Sequence, residues 1–150
     1  MRKSYMLTAL LLSLSLISTG CLAFGIDEET TTPTQAQLSR CRAEMYLNPS
    51  MKITPIGYKL EGSGIDDAIW FKFWTDVSGV QEIFDVKVVD TSKFKTGFTF
   101  SHEMKELKWW DVENKELLGG QVELPNVRFM NVGIEKNSEG FVVYIMWHEV

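Results

Sequence analysis

From about Lys52 onward, apolar and polar residues alternate in short runs broken by Gly, Pro, Asn and Asp. That period of two is the mark of strands with one buried face. Residues 68–74 break the alternation in an informative way. Ile69, Phe71 and Phe73 occupy one face, and Trp70 and Trp74 flank Lys72 on the other, which predicts a central strand covered on both sides. Around it the pattern predicts two strand pieces in residues 53–60, interrupted at Pro55 and Gly57, and a strand at 86–89. An extended stretch follows, with Phe98, Phe100, His102 and Met104 on one face, continued by residues 107–112. Residues 113–120 read as a turn-rich connection and 121–124 as a short strand stopped by Pro125. The clearest unit is a hairpin: residues 127–136, a polar turn at Asn137-Ser138-Glu139-Gly140, then 141–147.

Helical spacing occurs twice. Thr34-x-x-Gln37 has the form of a capping box, with Leu38, Cys41 and Met45 on one face before Asn48-Pro49 ends the run. Ser78-x-x-Gln81 has the same form, followed by Val80, Ile83 and Phe84 at helical spacing. The expected fold class is α+β, mostly antiparallel β with one or two short helices and a C-terminal β-hairpin, in a single domain over residues 38–150.

The N-terminus follows a different logic. Arg2 and Lys3 precede an uncharged apolar run over residues 5–17, and Ser18, Thr19 and Gly20 are small; this is the layout of an export signal. The run is too short for a comfortable permanent span, which needs about 20 residues. Ile17-Ser18-Thr19-Gly20-Cys21 resembles the lipobox of bacterial lipoproteins, with Ser18 where that family more often carries Leu. The resemblance covers the leader alone. It implies that residues 1–20 are a signal peptide, that the chain is cut before Cys21, and that the Cys21 thiol carries the lipid that holds the protein to a membrane. Leu22, which is not Asp, resembles the outer-membrane class, with the domain facing the periplasm. An ordinary secretory signal cut near Gly20 or Ala23, or a retained signal anchor, are the alternatives. Residues 21–37, with "DEETTTPTQAQ", read as the lipidated cysteine and a flexible tether.

Charge narrows the partners. The formal net charge is -5, and setting aside Arg2 and Lys3 leaves about -7 on the remainder. Nucleic acid and anionic lipid surfaces are therefore disfavoured. The sequence holds two cysteines. If Cys21 carries lipid, Cys41 has no intramolecular partner and no disulfide framework exists. Cys41 is then either buried and inert or paired with another chain.

Catalytic patterns are thin. There is no HExxH, CxxC, G-x-S-x-G, P-loop or Rossmann glycine pattern, and no cofactor or metal is expected. The dipeptides His102-Glu103 and His148-Glu149 are the only material for a metal or general-base site, and on a strand neighbouring side chains point to opposite faces. Asp66-Asp67, or Asp85 with Asp90, are read as turn and helix-end residues before paired catalytic carboxylates. The five tryptophans, Trp70, Trp74, Trp109, Trp110 and Trp147, either fill the core or form an aromatic platform. On a strand, Trp110 would share its face with Lys108 and so point to solvent, which makes it the candidate binding residue. Two functions follow: a non-catalytic, lipid-anchored module that binds another envelope protein or a cell-wall component, or a small envelope hydrolase or metal protein using His102 and His148.

Overall fold

A computed structural model describes residues 25–63, 66–101 and 104–150. The leader, Cys21 and His102 lie outside the described residues. Seven strands, β1 (Asp27–Thr30), β2 (Thr54–Gly62), β3 (Asp67–Thr75), β4 (Lys95–Phe98), β5 (Leu117–Leu124), β6 (Arg128–Lys136) and β7 (Phe141–Glu149), form one sheet in the order β1-β2-β3-β7-β6-β5-β4. Every pairing is antiparallel. The order consists of two meanders, β1 to β3 and β4 to β7, which join where β3 lies against β7. With one helix, α1 (Gln35–Glu44), and two short 3-10 turns, the fold is mostly antiparallel sheet, and β6 and β7 form the expected C-terminal hairpin.

Alternation places the side chains of β3 on two faces. Ile69, Phe71 and Phe73 join Val143, Ile145 and Trp147 of β7 and Met130, Val132 and Ile134 of β6 in the larger core. On this helix face lie Cys41 and Met45, together with Ile83, Phe84 and Val89 from the connection between β3 and β4. On the opposite, loop face, Trp70 and Tyr144 pack with Met104, Leu107 and Trp110 from the connection between β4 and β5. β3 is thus covered on both sides, as its double-faced aromatic pattern requires.

α1 begins where its capping box lies: the Thr34 hydroxyl accepts from the Gln37 N–H and the Gln37 side chain accepts from the Thr34 N–H. Ion pairs then tie it to the sheet. Arg40 meets Asp67 of β3 at 2.7 Å, and Glu44 pairs with Arg128 of β6. Cys41, fully buried, has its thiol pKa pushed up to about 12 by burial, so at neutral pH it is an inert apolar group.

Several local expectations are corrected. Residues 86–89 form a turn, because the Asp85 side chain accepts the Lys87 N–H at 2.9 Å and its carbonyl accepts those of Val88 and Val89. Residues 107–112 do not form a strand; successive turns run from Leu107 N–H to the Met104 carbonyl and from Trp110 N–H to the Leu107 carbonyl. Ser78 caps nothing: the 3-10 turn Val80–Glu82 has Gly79 at its N-cap and no side-chain cap. β2 is one strand with an irregularity between Pro55 and Gly57, and β5 starts at Leu117. Within the stretch read as a tether, Asp27–Thr30 pairs with β2 as an edge strand.

Candidate functional site

The loop face carries a polar network that no local motif announces. Lys72, in the middle of β3, is buried, and its ammonium donates to Asp111 and, at 2.9 Å, to the Trp109 carbonyl. It also stands 4.9 Å from the ring centroid of Tyr144. Lys115 donates to Glu135 at 2.7 Å and to the Tyr144 hydroxyl at 2.9 Å, and lies 3.2 Å from Asp111. The Tyr144 hydroxyl donates towards Asp111 at 3.1 Å. Two ammonium groups and two carboxylates thus match each other around one phenol. A buried charge without such partners would be strongly unfavourable.

The network has a direct effect on proton affinity. Burial alone would raise the Asp111 carboxyl, but the hydrogen bond and charge of Lys72, followed by those of Lys115, hold it below its ordinary value. Burial would lower Lys115, and its bonds to Glu135, Tyr144 and Asp111 raise it instead. Burial raises the Tyr144 phenol, although Lys115 pulls against that shift. Lys115 therefore stays charged and Tyr144 stays neutral across the ordinary pH range. The arrangement is a clamp that holds residues 109–115 to β3, β6 and β7.

Two glycines let that clamped segment come close. The Trp109 ring lies on Gly57 of β2, where an added Cβ would be 2.1 Å from the ring. Phe100 lies on Gly133 of β6, where a Cβ would meet it at 2.8 Å. Glycine inside a strand often marks such close approach. Trp109 also donates through Nε1 to Glu29 of β1 at 3.2 Å, so one side chain links the loop to the sheet edge.

Trp110 is not the solvent-facing residue that strand alternation implies. It is 4% exposed and stands edge-to-face against Phe100, Trp109 and Tyr144 at centroid distances of 5.1, 5.9 and 5.6 Å. The alternation argument assumes an extended chain, and the turns at Leu107 and Trp110 remove that assumption. Trp109 is half-buried, Trp70 and Trp147 are core residues, and Trp74 is half-buried. Between Phe100 and Met104 on one side and Trp110, Val112, Asn114 and Lys115 on the other lies a cavity of about 370 Å³.

His148 lies at the end of β7, stacked on Phe129 with ring centroids 5.7 Å apart. Burial lowers its pKa, and its Nδ1 is buried without a partner. A pairing with His102, which the hydrolase or metal-protein alternative requires, falls outside the described residues. Among the described residues no group of three or more His, Cys, Asp and Glu is placed to hold a metal ion. Asp67 is held by Arg40, Asp85 supports a turn, and Asp90 caps the 3-10 turn Thr91–Lys93 through the Ser92 N–H. Asp85 and Asp90 take the turn and helix-end roles expected of them, whereas Asp67 opens strand β3.

Sequence reading missed Lys72, Asp111, Lys115, Glu135 and Tyr144 as a set. The available signal was Lys72 itself, a charge amid aromatic residues on a strand with two buried faces. Compared with family models, with curated proteins and with solved structures, the chain matches none. Among the described residues no helix is long and apolar enough to cross a membrane.

Proposed function

We propose that this chain is a bacterial envelope lipoprotein, held through lipid on Cys21 to the outer membrane and facing the periplasm. Its domain binds another envelope protein or a cell-wall component and performs no catalysis. The observation that carries the reading is the run Ile17-Ser18-Thr19-Gly20-Cys21 behind a basic start and a short apolar segment. The domain geometry is compatible with it in two ways. The buried Lys72 and the partly exposed Lys115 are matched by Asp111 and Glu135, and so act as a scaffold. The outer edge of β5 is paired by β4 only at residues 117–119, which leaves a groove of about 700 Å³ alongside Gln121 and Glu123, a geometry suited to contact with another chain.

β1 alters the expected stand-off. From Cys21 to Asp27 an extended chain reaches about 20 Å, so the acidic edge strand of an anchored protein would sit close to the bilayer. Labelling cells with a radioactive fatty acid tests the anchor. Label should enter the wild-type protein, and Cys21→Ser should abolish it and leave an uncut precursor or a released protein; label persisting in Cys21→Ser refutes the assignment. Capture from envelope extract tests the binding role, with a chain that begins at Gly25 so that β1 is retained.

A further inference from the structure

We propose that the β5–β6 turn, Pro125-Asn126-Val127, is a membrane-contact tip. It lies in the headgroup–acyl boundary of the bilayer that holds the lipid on Cys21, against zwitterionic phospholipid of the phosphatidylethanolamine kind. This contact deepens the lipoprotein reading above and rests on it.

Strand order brings the turn and the anchor to one end of the sheet. Asp27 pairs with Glu61, Gly62 with Asp67, Ala68 with His148, Glu149 with Arg128, and Arg128 with Leu124. The start of β1 and the β5–β6 turn therefore share an end. Only Leu22, Ala23, Phe24 and Gly25 stand between Cys21 and Ile26. That stretch spans at most about 17 Å even fully extended. An acylated Cys21 thus turns this end towards the bilayer, and the Asn137-Ser138 turn away from it.

The same end exposes apolar side chains. Ile26 is 64% exposed, Val127 61% and Val150 72%, three of the four large apolar residues that are exposed among the described ones. The Val150 N–H donates to the Val127 carbonyl at 3.3 Å, so these two stand side by side. Independently, Val127 is strained where it stands. Its φ of 56° puts a β-branched side chain in the left-handed region, which Asn, Asp or Gly occupies more easily. Strain of this kind clusters at functional sites. Charge selects the lipid. Asp27, Asp66, Glu123 and Glu149 lie at this end with no cation paired to them among the described residues, whereas Asp67, Glu61 and Arg128 are matched by Arg40, Lys59 and Glu44. Such a rim repels an anionic surface and accepts hydrogen bonds from ethanolamine ammonium groups. The tip is small, but the anchor makes its contact intramolecular, so little affinity is needed.

The test is fluorescence quenching of the acylated protein in vesicles of phosphatidylethanolamine and phosphatidylcholine doped with acyl-chain nitroxide lipid. A fluorophore is attached at Asn126→Cys or, as control, at Ser138→Cys, which the nine residues of β6 set about 30 Å away. The Cys21 thiol is taken by lipid, and Cys41 is buried. Quenching at Asn126→Cys should be several-fold stronger than at Ser138→Cys. Adding Val127→Asn, which suits the same backbone, should bring the Asn126→Cys signal down to the control, and adding Val127→Ile, equally apolar, should leave it. Exchanging phosphatidylcholine for phosphatidylglycerol should weaken it. Equal quenching at the two positions, quenching unmoved by Val127→Asn, or stronger quenching with phosphatidylglycerol would each overturn the membrane contact and leave the anchor standing. A protein that carries no fatty acid overturns both.

Discussion

Val127, at the β5–β6 turn, has φ of 56°, beside Asn126 at 64°. A β-branched residue in the left-handed region carries a backbone cost of roughly 1–2 kcal/mol, while its side chain is 61% exposed and contributes little burial. Val127→Gly should therefore stabilise the domain by about 1 kcal/mol, after allowing for the greater unfolded freedom of glycine. Thermal unfolding checks it, and a lower midpoint contradicts it. Lys72 and Asp111 give a second prediction with an asymmetric outcome. Lys72→Met keeps the apolar stem and leaves Asp111, whose side chain is 52% exposed, to water, so stability should change by less than about 1 kcal/mol. Asp111→Ala instead leaves a 9% exposed ammonium with the Trp109 carbonyl and the Tyr144 ring. It should cost about 2–3 kcal/mol. Urea unfolding of the two variants should show this order, and a larger loss in Lys72→Met would disprove it.

At the element scale, the legible pieces are those whose cause is local. The capping box of α1 consists of residues three apart, and it was readable because both hydrogen bonds lie within one turn. Thr34→Ala should lower stability by about 1 kcal/mol, measured by urea unfolding. β3 was readable because seven residues carried its two-faced pattern, and the hairpin because a polar turn separated two apolar runs. β1 had no such signal: Asp27, Glu28 and Glu29 look like solvent-loving spacer, and only the backbone of β2 recruits them. Charged residues at a sheet edge also discourage pairing with other chains. A chain that starts at Leu38 loses β1, the Thr34 cap and the Glu29 acceptor of Trp109, and should melt below one that starts at Gly25. Equal melting temperatures would show that β1 contributes nothing to the fold.

For the whole molecule, acid should loosen the domain in two stages. Burial lowers the folded-state pKa of His148, so the fold favours its neutral form. That contribution is present above the unfolded value near 6.5 and is lost as pH falls through the lower folded value. Asp111 is held low against burial by Lys72 and Lys115, and Asp90 by its hydrogen bonds from Ser92. Their contributions are present above the unfolded value near 3.9 and are lost below it as pH falls through their folded values. Urea midpoints followed from pH 7.5 down to 2.5 should decline in both windows. His148→Gln should remove the upper step and Asp111→Asn should shrink the lower one; unchanged profiles would contradict the assignment. By itself, the sequence determined what depends on neighbours in the chain: the strand-rich class, the cap of α1, the central place of β3, the terminal hairpin, and the leader's resemblance to a lipoprotein signal. Only the tertiary structure decided which strands meet, that residues 104–115 fold as turns over the loop face, and that Trp110 is enclosed. It alone brought together Lys72, Asp111, Lys115, Glu135 and Tyr144, which come from β3, β6, β7 and one connection. Residues so far apart in the chain share no periodicity; their contact is set by strand order and by the need of a buried ammonium for a carboxylate.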